Sequence, residues 1–187
     1  FQVSKFKQAY GFKTLRTQDP AEVMRRIWAA PTFEVHGLVG GYHGPGVKTV
    51  VPGHGELKVS MRLVPNQTPE KAFALLKKHV AKLNPEVTVE REGMLHPFRG
   101  VFDGPYVDAV KRAVKAGFGK EPAFIREGGS IGAVVTMQKA WKVPILFMGL
   151  SLPEHGYHAP NEYFDWGQAS GGMKAFVHYF AELAAKR

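Results

Sequence analysis

Glu56-Leu57-Lys58-Val59-Ser60-Met61-Arg62-Leu63-Val64 alternates polar and apolar side chains and runs directly into Pro65-Asn66-Gln67-Thr68-Pro69-Glu70. Successive side chains of a strand point to opposite faces, so the alternation predicts a sheet with one wet face. Thr68, Pro69 and Glu70 then supply an N-cap, a first-turn proline and an early acid, which together predict a helix start. Ala72, Phe73, Leu75, Leu76, Val80 and Leu83 trace its apolar stripe. Working outward, residues 32–39 alternate and are rich in β-branched and aromatic side chains, which predicts a strand. Residues 40–46, with four glycines and a proline, read as a loop, and residues 48–52 and 87–91 as further short strands. Three or four antiparallel strands with a packed helix make an α+β lid that ends near Phe102.

The texture changes after Asp103-Gly104-Pro105. Helices are expected over 106–118, 130–141 and 164–186, with short strands over 123–126 and 143–148. Helix–strand–helix–strand–helix is α/β texture. On the other side of the lid, Asp19-Pro20-Ala21-Glu22 predicts a helix that Pro31 stops. Residues 1–20 are mixed and polar and are expected to wrap over the rest.

The 187 residues suffice for one ordinary domain or two small ones, and an apolar fraction of 44% is enough for a buried core. No apolar run reaches the roughly 18 residues of a membrane span, and the opening residues carry no signal-peptide core. The chain opens on Phe1 instead of Met, so it is expected to have been cut or engineered. The absence of cysteine excludes disulfides, thiolate zinc sites and a cysteine nucleophile; it fits a reducing cytoplasm, and a secreted protein can lack cysteine as well. A net charge of +9 raises nucleic acid as a partner. The cations are scattered at helical spacing, however, and the aromatic signature of an RNA-binding sheet is missing, so none is expected.

Three stretches have the residue types for chemistry. Arg126-Glu127-Gly128-Gly129-Ser130-Ile131-Gly132 lies between an expected strand and helix. Its free amides and helix dipole suit an anion, or it is an ordinary capped turn. Leu152-Pro153-Glu154-His155-Gly156-Tyr157-His158 follows an expected buried strand. There His158 is either a metal ligand or a structural histidine, and the glycine after His155 argues against a helical histidine pair. Arg62, at the end of its strand, is either poised for a two-pronged carboxylate contact or simply solvated.

Taken together, Gly40-Gly41-Tyr42 with Lys48-Thr49 and Pro52, then Arg62-Leu63-Val64-Pro65-Asn66, then Arg126-Glu127-Gly128-Gly129-Ser130-Ile131, then His158-Ala159-Pro160-Asn161-Glu162, in this order, resemble the second half of the M20 metallopeptidases. The similarity is greatest to the carnosinase-like dipeptidases and extends from about Phe1 to the C-terminus. It implies a ferredoxin-like lid and dimerisation domain over 1–102, incomplete at its N-terminus, and the C-terminal α/β part of a zinc-peptidase catalytic domain over 103–187. It also implies that His158 is the final metal ligand and that Arg62, Ser130 and the Gly128-Gly129 backbone grip a substrate's C-terminal carboxylate. By the same resemblance Thr49 reaches the partner subunit's site. The family holds two zinc ions per subunit, or manganese, which polarise the scissile carbonyl and generate hydroxide. Proline commonly follows Ser-Ile in the family, and here Gly132 stands there, which implies looser seating at Ser130.

The family's other metal ligands and its base glutamate fall upstream of the lid, and no His-x-Asp segment or Glu-Glu pair occurs in this chain. The expectation is therefore a fragment of a homodimeric dipeptidase, acting on a dipeptide or small amide, that is inert alone. The alternative is a stand-alone dimerisation or peptide-carboxylate-binding module without catalysis.

Overall fold

A computed structural model describes residues 1–127 and 131–185. They form two compact units, one of residues 29–97 and one built from residues 1–28, 98–127 and 131–185.

In the 29–97 unit, β1 (Thr32–Gly40) pairs antiparallel with β2 (Gly55–Arg62), from Thr32 opposite Arg62 to Gly40 opposite Gly55. The register places Phe33, Val35, Leu38, Leu57, Val59 and Met61 on one face, and Thr32, Glu34, Glu56, Lys58, Ser60 and Arg62 on the other. A bulge between Val35 and Gly37 absorbs His36 as an extra residue. Without it the one-residue slip would turn Leu38 to the polar side. Gly40 has φ +144°, and a Cβ there would lie 2.9 Å from the His54 carbonyl oxygen, so the close of the hairpin requires glycine.

Helix α3 (Pro69–Leu83) begins as its sequence predicts, with Thr68 Oγ1 accepting from the Lys71 N–H at 3.4 Å. A cavity of about 340 Å³ lies between its Ala72, Leu75, Leu76 and His79 and, on the hairpin side, Phe33, Met61 and the following Leu63. The far half of the apolar face stays open, with Leu38 77% exposed.

The other unit contains α1 (Val3–Ala9), α2 (Pro20–Trp28), α4 (Pro105–Phe118), α5 (Gly132–Trp141), a single 3₁₀ turn (Pro153–His155) and α6 (Trp166–Ala184). Its core is the α4–α6 contact, where Val107, Ala109, Val110 and Ala113 are buried against a helix that buries Gly171, Gly172 and Ala175. A Cβ on Gly117 would come within 2.4 Å of the Gly171 carbonyl oxygen and 3.0 Å of the Ala175 Cβ. Small residues set this spacing, since close-packed helices approach no nearer than their side chains permit. Arg112 closes the contact by donating from Nε and Nη2 to both carboxylate oxygens of Glu182, at 2.7 and 2.5 Å.

Several expectations need correction. Among the described residues the sheet has two strands, not three or four, and residues 48–52, 87–91, 123–126 and 143–148 pair with nothing as strands. Alternation and β-branched content measure fitness for a pleated surface, but a strand exists only where another backbone takes up its hydrogen bonds. Val51, 88% exposed, and Ile125, 62% exposed, have the composition without the neighbour. Helix α5 starts at Gly132 with Ile131 at its cap position, while the expected cap Ser130 lies outside the described residues. Helix α1 was not expected. It has no side-chain cap, and Phe1, Tyr10 and Phe12 cluster around its Phe6 at ring separations of 5.4, 4.9 and 6.0 Å. Apart from these corrections, the 29–97 unit lies inside the expected lid of residues 1–102, and residues 1–28 group by contacts with the C-terminal segment.

Candidate functional site

The candidate residues divide between the units: Thr49 and Arg62 belong to one and His158 to the other. No single unit assembles all three. Gly128, Gly129 and Ser130 lie outside the described residues.

Arg62 ends β2 on the polar face, opposite Thr32, and is exposed. Thr49 sits exposed in the 41–54 loop between β1 and β2. This loop is folded on itself, with the Tyr42 hydroxyl donating to the Pro45 carbonyl at 2.9 Å and the Lys48 ammonium 5.9 Å from the Tyr42 ring centre.

His158 is exposed, in a left-handed backbone conformation at φ 64°, as is Asn161 at φ 62°. Non-glycine residues adopt this region rarely, so the surrounding bonds must hold the turn. Those bonds centre on His155, a buried side chain only 1% exposed. The Leu152 N–H donates to its Nδ1 at 3.1 Å, and its Nε2 lies 2.8 Å from Asp165 Oδ2. An Nδ1 that accepts leaves the ring proton on Nε2, so the neutral imidazole donates to Asp165. The His155 N–H bonds the Leu152 carbonyl at 3.0 Å, and its own carbonyl accepts from the Tyr163 N–H at 3.1 Å. The rings of Tyr163 and Phe164 cover it at 5.0 and 5.6 Å.

Asp165 is also the N-cap of α6, where Oδ1 accepts from the Gln168 N–H at 2.9 Å. That backbone bond, and after it the bond from His155, hold its carboxyl below the usual carboxylate range. Next to His158, the Tyr157 hydroxyl is 2.8 Å from that of Tyr10. Burial first, and then this bond, push the Tyr10 phenol up to about 12.

The sequence drew attention to His155 only as a failed partner of His158. Its structural role depends on Asp165, ten residues downstream, and the spacing carries no sign of it. The legible signal was Asp165 itself, an acid directly before an apolar helical stretch.

The exposed imidazole of His158 is of the residue type that zinc accepts as a ligand. No group of three or more His, Cys, Asp or Glu converges among the described residues.

Residues 2–88 match the peptidase dimerisation domain of the M20 type. The chain is 31% identical over 191 residues to a Cys-Gly metallodipeptidase of Schizosaccharomyces pombe, covering 99% of this chain and 40% of that protein. It is 30% identical over 169 residues to the Beta-Ala-His dipeptidase of Homo sapiens, covering 87% of this chain and 33% of the relative. Among solved structures, an M20 family metallo-carboxypeptidase of Sulfolobus solfataricus superposes with a TM-score of 0.86 at 30% identity, over 96% of this chain and 41% of that one. The chain thus spans well under half the length of the relatives it matches.

Proposed function

The chain is a homologue of the M20 metallopeptidases over part of their length, and from that premise we propose that the protein containing it hydrolyses a peptide or amide bond next to a free C-terminal carboxylate. The observation that carries this reading is the similarity to two metal-dependent dipeptidases along nearly the whole chain. In it, residues 1–102 form the lid and dimerisation domain, with the β1–β2 hairpin belonging to a larger ferredoxin-like sheet against which α3 packs. Residues 103–187 complete a catalytic domain. The protein is a homodimer through its lid and works in the cytoplasm.

Arg62 grips the substrate carboxylate with two parallel bonds, a geometry the guanidinium fork provides and an ammonium does not. Ser130 and the Gly128-Gly129 backbone complete the grip, and Thr49 serves the partner subunit. His158 gives one nitrogen to a two-zinc or manganese centre whose role, when bound, is to polarise the scissile carbonyl and activate water. A catalytic zinc takes about three protein ligands, so the 187 residues alone are inert and hold no tight pair of metal sites.

The test is to assay the complete protein against Cys-Gly and β-Ala-His, with and without a chelator, and against the same dipeptides amidated at the C-terminus. We expect chelator-sensitive hydrolysis of the free acids, little of the amides, and an Arg62→Lys variant whose KM rises at least about tenfold, the cost of about one charge-assisted bond. Equal rates on acids and amides would refute the carboxylate grip. Zinc titration of residues 1–187 showing two tight sites would refute inertness. A second reading, a dimerisation module without catalysis, draws on the confinement of the domain match to residues 2–88, and a dimeric complete protein without hydrolysis would favour it.

A further inference from the structure

We propose that His155 is the positioning residue of the His158 loop: a buried neutral imidazole that holds the left-handed turn in place and is itself barred from metal ligation. This rests on the reading of His158 as a ligand.

Residues 153–162 contain one short 3₁₀ turn and two left-handed non-glycine residues, so the segment lacks the regular backbone bonds that would fix its shape. His155 provides the fixed point. Both ring nitrogens are occupied, Nδ1 by the Leu152 N–H and Nε2 by Asp165, and the ring is 1% exposed under Tyr163 and Phe164. A metal ligand needs one ring nitrogen with an open lone pair and a path to it. Of the two histidines three residues apart, only the exposed His158 meets that condition. Through Asp165 the same ring ties the loop to the first turn of α6, the rigid element that follows it. Two backbone bonds, Tyr163 N–H to the His155 carbonyl and Ala159 N–H to the Gly156 carbonyl, complete the turn around His158. Partners of this kind, one step removed from a ligand, orient it and tune its affinity.

The experiment uses the complete protein with His155→Phe, Asp165→Ser and His158→Ala variants. Serine keeps the α6 cap but is too short to reach the ring, so it separates the two roles of Asp165. Three readouts are taken: hydrogen exchange of the Ala159 and Tyr163 amides, the imidazole nitrogen resonances of His155, and zinc affinity by chelator competition. The Gly119 amide, bonded to the Lys115 carbonyl at the end of α4, is the internal control. We expect wild-type His155 to show one protonated nitrogen, Nε2, unchanged on zinc addition. In His155→Phe and Asp165→Ser the loop amides should exchange at least about tenfold faster with Gly119 unchanged, and zinc affinity should fall about tenfold or more. Unchanged loop exchange, an equal rise at Gly119, or a zinc-induced shift at His155 overturns the proposal. If His155→Phe leaves zinc affinity intact while His158→Ala lowers it, the positioning role is wrong and the ligand reading stands. If His158→Ala leaves affinity intact, the ligand reading fails and the proposal falls with it.

Discussion

Oδ2 of Asp165 lies 2.8 Å from Nε2 of His155, while Oδ1 of the same carboxylate accepts from the first turn of α6. One side chain thus starts a helix and anchors the irregular loop before it. Both bonds favour the ionised form, so they couple loop order to pH.

Acid should therefore loosen this end of the protein. The Asp165 carboxyl is held below its ordinary value by the Gln168 N–H first and by His155 second. A depressed folded-state value contributes stability that is present above the unfolded value near 3.9 and is lost as pH falls through the folded one. Denaturant midpoints measured from pH 6 to pH 2 should fall below about pH 4. Asp165→Asn keeps a good cap and cannot ionise, so its curve should be flatter there. Parallel curves for the two proteins would contradict the assignment.

Base should act on the other side of the same loop. The Tyr10 phenol, raised to about 12 by burial and by the Tyr157 hydroxyl, favours its neutral form when folded. Its contribution is fully present below the unfolded value of about 10 and is lost as pH rises through the folded one. Absorbance titration should show one tyrosine ionising near 12 that disappears in Tyr10→Phe. A Tyr10 that titrates with the other tyrosines would show that the pair does not form in solution.

Gly117→Ala should destabilise the protein, although alanine is the better helix former. The new Cβ would meet the Gly171 carbonyl oxygen at 2.4 Å, which is backbone and cannot rotate aside. Overpacking of this kind costs about 1–3 kcal/mol, more than the roughly 1 kcal/mol that helix propensity returns. Thermal or denaturant unfolding gives the answer, and a stabilised variant would mean that α4 and α6 are farther apart than described.

Thr32→Val should stabilise the 29–97 unit. The Thr32 Oγ1 is buried without a hydrogen-bond partner beside the cavity under α3. An unsatisfied hydroxyl costs about 1–3 kcal/mol, and valine fills the same space without one. A gain of roughly 1 kcal/mol in unfolding free energy is expected. A loss would show that the hydroxyl is satisfied in solution.

Elements with local signals were legible. Thr68-Pro69-Glu70 marked the start of α3, the alternation of residues 56–64 marked β2, and Pro105 and Gly119 bracket α4 within a residue or two of the expected ends. Residues 87–91 and 143–148 show where this failed: they have strand composition, but a ladder needs a second backbone that no local window contains. Helix α1 was missed for the opposite reason, since it has no cap and rests on aromatic contacts, one of them the Phe6–Tyr10 pair at helical spacing. The motifs around Thr49, Arg62 and His158 were conspicuous as strings, but their separation into two units was not visible in them.

By itself, the sequence determined where chain direction and periodicity change, and the order of motifs that ties this protein to its relatives, because caps, prolines and alternation act over a few residues. Tertiary structure alone decided that Leu38 falls on the apolar face of the hairpin, through the His36 bulge, and which of two neighbouring histidines is walled in. Both outcomes depend on partners brought near by folding, a paired strand for one and Asp165 with two aromatic rings for the other. Burial and hydrogen-bond satisfaction are properties of such assembled neighbours and not of any stretch of chain.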